Sequence, residues 1–123
     1  MAAYVWTGGV DGDWAVNGNW DVAGWPTAGD DATIDIADTV TLDINITVAN
    51  FTINHVNAIL ICEANLTVTT GITLTAGEFH FGSYIHTVAG NWVGNGANYT
   101  TYCDTGKLIL NADPAAILED QNL

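Results

Sequence analysis

An all-β fold of the parallel solenoid kind is what this sequence predicts, and three observations predict it. Apolar residues alternate with Thr, Asp and Asn from Ile34 through Ile36, Val40, Leu42, Ile44, Ile46 and Val48, the periodicity of a pleated, half-buried strand. The alternation carries a faint repeat near twenty residues. Asn45-Ile-Thr-Val48 returns as Asn65-Leu-Thr-Val68, twenty residues separate Ile59 from Phe79 and Ile61 from Phe81, and Phe51-Thr-Ile53 matches Ile72-Thr-Leu74 at twenty-one. Spacings of three and four, which an amphipathic helix requires, are not sustained.

A repeat of this length is one coil of a β-helix, each coil burying its apolar residues on the next. The expectation is a short right-handed parallel β-helix whose core stacks Val48 on Val68, Ile59 on Phe79 and Ile61 on Phe81, with Thr and Asn outside. An antiparallel β-sandwich is the alternative, since it too is made of short strands and tight turns. The scarcity of Asn-Gly and Asp-Gly hairpin turns within the repeating zone favours the solenoid.

With 123 residues, the chain is sized for one domain, and it divides into three zones. Residues 1–31 are dense in Gly, Asn, Asp and Trp, with turn signals at Gly8-Gly9, Asp11-Gly12, Asn17-Gly18 and Trp25-Pro26. This zone reads as a Trp-rich N-terminal cap. Residues 32–93 hold the repeating coils. Residues 94–123 supply a strand at Tyr99 to Tyr102, a closing strand at Lys107 to Leu110 and a polar tail.

Charge narrows the function classes. Only 12% of residues are charged, and Lys107 is the sole basic side chain against fourteen acidic ones, for a net charge of -13. Neutralising phosphates needs Lys and Arg, so neither nucleic acid nor an anionic membrane is an expected partner. The same charge suits a soluble protein displayed densely in salt. The stretch from Met1 to Trp6 has neither the basic nor the long apolar region of a signal peptide, so synthesis in a cytoplasm is expected. Cys62, within the run Ile59-Leu60-Ile61, reads as a buried free thiol, a disulfide to Cys103 being the less favoured alternative.

The lead-in Trp6-Thr-Gly-Gly9, Gly12-Asp-Trp14, Asn19-Trp20, Pro26 and Gly29-Asp-Asp-Ala-Thr-Ile34 resembles the segment ahead of the parallel β-helix in autotransporter-like surface proteins and viral structural proteins. Thr41-Leu42, Phe51-Thr-Ile53 and Leu66-Thr-Val68 are similar to the first coils of such helices. The resemblance spans roughly residues 6 to 93 and implies a β-helix that serves as an adhesin, a stalk or a virion component, without implying any chemistry.

Several groups of residues invite a chemical reading. Trp14, Trp20 and Trp25, with Trp6, Asp11, Asp13 and Asn19 nearby, are the candidates for a glycan platform, because an indole face stacks on a sugar ring while Asp and Asn take its hydroxyls. The competing reading is a plug over the open end of an apolar core, and it is preferred. Asp11-Gly-Asp13 and Asp30-Asp31 match no calcium loop and read as turns. His55, His80 and His86 with Cys62 or Cys103 give no zinc spacing, and alternation puts His80 outside, between Phe79 and Phe81. Glu63 and Glu78, the only glutamates in the repeating zone, are candidates to pair with Asp43 or Asp35 as glycosidase carboxylates set in a long cleft. Such a cleft takes more coils than this chain has. The expectation is therefore a protein that is not an enzyme, with no catalytic, cofactor-binding or metal-binding residues.

What remains is a structural protein, expected as a capsid decoration or cement protein on the exterior of a virion. It would be held as a homo-oligomer or on a lattice of major capsid protein, with Ile117 and Leu118 in the tail as the partner anchor. The alternatives are a carbohydrate-binding or adhesion module and the subunit of a surface filament.

Overall fold

The structure, a computed structural model, describes residues 2–110 and 118–119, with the side chains of residues 95–98 and 118–119 left aside. Among the described residues there are nine strands and no helix. They are β1 (Ala3–Val5), β2 (Asp31–Ile34), β3 (Thr39–Leu42), β4 (Ile46–Cys62), β5 (Leu66–His80), β6 (Ile85–Val88), β7 (Asn91–Tyr102), β8 (Lys107–Leu110) and β9 (Leu118–Glu119). Every pairing between these strands is parallel. The stacked coils form a β-solenoid of about four turns, which decides the choice between solenoid and sandwich.

The long strands bend from one face of the solenoid to the next. β4 pairs with β5 in three runs, 46–48, 50–53 and 59–61, separated by breaks in register. Each run belongs to a separate stack. On the first face 46–48, 66–68, 85–88 and 107–110 lie in sequence. On the second, Asp31, Asn50, Gly71 and Asn91 stack at intervals of 19, 21 and 20 residues, with β1 above and β9 below. The third is formed by 39–42, 59–62, 78–80 and 99–102.

Side chains at alternate positions turn inward and stack. Val48, Val68 and Val88 form one buried row, Ala32, Phe51, Ile72 and Trp92 a second, Ile34, Ile53 and Leu74 a third, and Val40, Leu60 and Phe79 a fourth. Outside run the Thr33-Thr52-Thr73 and Thr47-Thr67-Thr87 ladders, which fit the β-branched preference of a pleated, partly wetted surface.

The expected stack of Val48 on Val68 is present, and Phe79 and Phe81 are buried. The partners expected for the two phenylalanines need correction. Leu60, not Ile59, lies on Phe79, while Ile59 pairs with Glu78 and Ile61 with His80. The cause is at the corner between the second and third faces. From the pair Asn54-Ala76 to the pair Ile59-Glu78, β4 inserts 55–58 where β5 inserts only Gly77. The interval, twenty-two residues at Asn54-Ala76, falls by three to nineteen on the third face, one short of the expected twenty, and a slip of one turns every side chain to the opposite face. Ile59 and Ile61 therefore point outward, Ile61 being 37% exposed. Gly77 makes the tight corner possible: its φ is +104°, and a Cβ there would stand 2.6 Å from the Ala58 carbonyl oxygen and 2.8 Å from that of His55.

Candidate functional site

The two ends of the solenoid differ, and that difference is the feature with functional content. At the N-terminal end Trp6, Trp14 and Trp20 are buried. Trp20 meets Trp6 edge-to-face at 5.1 Å and Trp14 at 4.9 Å, and Trp14 continues onto Phe51 at 5.7 Å. Each indole N–H is satisfied: Trp6 donates to Asp38 Oδ2, Trp14 to the Pro26 carbonyl and Trp20 to the Trp14 carbonyl. Buried edge-to-face indoles present no ring face to a sugar, so Trp14 and Trp20 do not form the platform considered above. Trp25 is half-buried and packs against the core.

Asn19 holds the covering loop in place. It is completely buried; its Oδ1 accepts the N–H groups of Val10 and Asp11, and its Nδ2 donates to Asp11 Oδ1 and to the Asp13 carbonyl, each at 2.8 to 2.9 Å. Its own carbonyl accepts the N–H groups of Thr7 and Gly8. The outer edge of β1 is closed as well. The Val5 N–H donates to Asp21 Oδ1, the Asp21 N–H donates to the Val5 carbonyl, and Trp6 and Trp20 form an antiparallel bridge. At Val5 and Trp6 the edge is therefore taken and is closed to another strand there.

This end is also where the charge collects. Asp11, Asp13, Asp21, Asp30, Asp31, Asp35, Asp38 and Asp43 are eight of the fourteen acidic residues. Backbone N–H bonding, from Asp13, and then the Asn19 amide hold Asp11 below the usual carboxylate range, and the N–H groups of Thr27 and Ala2 do the same for Asp30. Asp13 is pushed up, first by desolvation and then by the charges of Asp11 and Asp43. No group of His, Cys, Asp or Glu among the described residues is arranged to hold a metal ion.

The shaft brings together few of the residues with chemical potential. His80 points outward as expected, bonds Glu78 Oε1 at 2.7 Å and stacks on Tyr102 at 4.3 Å. His86 does not face it: the ring is buried against Phe79 and Phe81, Nδ1 accepts the Leu66 N–H, and Nε2 meets the Phe81 carbonyl. No residue pattern marks this role beyond the twenty-residue interval between Leu66 and His86. His55 Nδ1 accepts the Asn57 N–H. Glu63 is exposed, Asp43 accepts the Ala15 N–H, and Glu78 lies on β5, one coil on from the β4 strand that Glu63 follows. Cys62 and Cys103 are free thiols, and burial pushes Cys62 up to about 12.

At the C-terminal end β7 pairs with β5 and, at Trp92 and Val93, with β9, while β8 pairs with β6 and, among the described residues, with no further strand. Tyr102, Ile109 and Leu110 are each a little over 40% exposed there. The Leu118 backbone pairs with Trp92 of its own chain; Ile117 lies outside the described residues.

Comparison with protein-family models, with curated proteins and with solved structures finds no match.

Proposed function

We propose that the protein is a structural module that works inside an assembly, with decoration of a capsid exterior as the form of assembly carried forward from the sequence. The observation behind this reading is the inequality of the two ends. One is sealed by buried indoles, an occupied strand edge and concentrated negative charge. The other ends, among the described residues, in β8, which pairs with β6 alone and lies with exposed Ile109 and Leu110 near exposed Tyr102. Parallel edges with apolar flanks pair readily with further strands. Partners meeting there stay far from the acidic cap, whose field falls off over about 8 Å at physiological salt.

Self-association is the direct test. Sedimentation velocity from micromolar to millimolar protein, at low salt and at several molar NaCl, should show an oligomer favoured by salt. Ile109→Lys with Leu110→Lys should return it to monomer while leaving the far-ultraviolet circular dichroism unchanged. A chain that stays monomeric under all these conditions would remove the basis of the proposal.

A further inference from the structure

We infer that His86 is an acid-operated latch that fastens the lower part of the first face, β6 and β8, to the coils above it. β6 is joined to β5 through the backbone pairs Thr67-Thr87 and Val68-Val88. Toward the corner, side chains replace the ladder. The Ile85 N–H donates to Asn65 Oδ1 at 2.9 Å, and the Leu66 N–H donates to His86 Nδ1 at 3.1 Å. β8 then hangs on β6 from Ile85-Lys107 to Val88-Leu110. The imidazole thus stands where another backbone pair would be.

This arrangement requires a neutral ring. Nδ1 accepts, so the proton is on Nε2, which donates to the Phe81 carbonyl at 2.9 Å. An imidazolium has only donors and loses the Leu66 bond. It would also be a charge enclosed by the rings of Phe79 and Phe81, with Leu108 of β8 in register beside it. The ionisable groups on the surrounding elements offer no compensation. Glu78 and His80 of β5 bond each other on the outer surface, Lys107 of β8 is exposed beside Ile85, and exposed Asp104 accepts the Gly82 N–H. Cys62, buried one coil above, stays protonated.

Desolvation holds His86 below its ordinary 6.5, although the Phe81 carbonyl acts in the opposite sense. A released β6 exposes the ring and restores its ordinary affinity for a proton. The open form therefore binds the proton more tightly, and the stability of the latch, complete above pH 6.5, is lost as pH falls from there toward the lower folded value. For one proton the opening equilibrium grows about tenfold per pH unit in that window. The inference does not depend on the assembly reading, since it concerns the isolated chain.

Amide hydrogen exchange on the full chain between pH 7.5 and 5, corrected for intrinsic rates, tests it. Leu66 and the amides of β6 and β8 should lose protection about tenfold per pH unit below 6.5, with β2 and β3 unchanged. His86→Gln, whose amide can accept from Leu66 and donate to Phe81, should flatten the response, and a His55→Gln/His80→Gln variant should keep it. Protection of β6 and β8 that ignores pH, or falls equally in β2 and β3, would overturn the latch. Should His86→Gln fail to fold, ring nitrogen chemical shifts of the wild type decide: a cation that accumulates while the Leu66 amide stays protected overturns it too.

Discussion

Asn19 shows how much a single polar side chain can organise when it is fully enclosed. Its amide serves two backbone donors and two acceptors in the covering loop. Asn19→Asp keeps the shape but turns donors into an acceptor beside Asp11. It should cost about 2–4 kcal/mol in urea unfolding at pH 7, with part of the loss recovered in acid as the new carboxyl takes a proton. The native carboxylates respond in the opposite sense. Asp11 and Asp30 are held below their ordinary 3.8, so their stabilisation is present above that value and disappears as pH falls through the lower folded ones. Cys62 gives a simpler readout. Buried and pushed up to about 12, it should resist alkylation at pH 8, so mass spectrometry should find one label per native chain, on exposed Cys103, and two after unfolding.

At the level of the strand, the stacking register carries the information, and the sequence displayed only part of it. Val48 on Val68 was legible because Ile46–Val48 and Leu66–Val68 form one unbroken register run at the twenty-residue interval of the repeat. The partners of Phe79 were not, because the count of residues in a turn is invisible to periodicity until the turn is seen: 55–58 against Gly77 shortens the interval by three, which outweighs two earlier one-residue insertions in β5 and leaves it at nineteen instead of twenty. Gly77→Ala would force a side chain into a left-handed conformation against two carbonyl oxygens. A loss of about 1–3 kcal/mol is expected from the backbone alone, read as a lowered urea midpoint with an unchanged slope. Trp14 and Trp20 were legible as a plug because a stack of coils must end somewhere and large indoles fill the end. The latch at His86 was not, since nothing in the alternation around Ile85 distinguishes an imidazole that replaces a ladder bond from an ordinary core residue.

Across the whole molecule, an aromatic column joins the cap to the last coils: Trp14 touches Phe51, Phe51 touches Phe79 at 6.1 Å, and Phe79 touches Trp92 at 6.1 Å. Phe79→Ala removes its central member and should cost about 3–5 kcal/mol, visible both in urea midpoint and in the fluorescence of Trp14 and Trp92. Charge acts at the same scale. With eight carboxylates gathered at one end, raising NaCl toward 1 M, where the screening length is about 3 Å, should raise the melting temperature in differential scanning calorimetry. Neutralising Asp13 alone, as Asp13→Asn, should diminish that gain, because Asp13 feels both Asp11 and Asp43.

The occupied edge of β1 also sets the arithmetic of polymer growth. Rods of stacked parallel strands are prone to run on into fibres when both of their ends offer the same unfilled edge, each new copy renewing the site for the next. Here Asp21 and the Trp6-Trp20 bridge take one of those two edges out of play. A contact between copies through the β8 edge alone would be tail against tail, isologous and complete after two, a closed pair with an acidic head at each extremity and no open β1 edge at Val5 on which a filament could add its next unit.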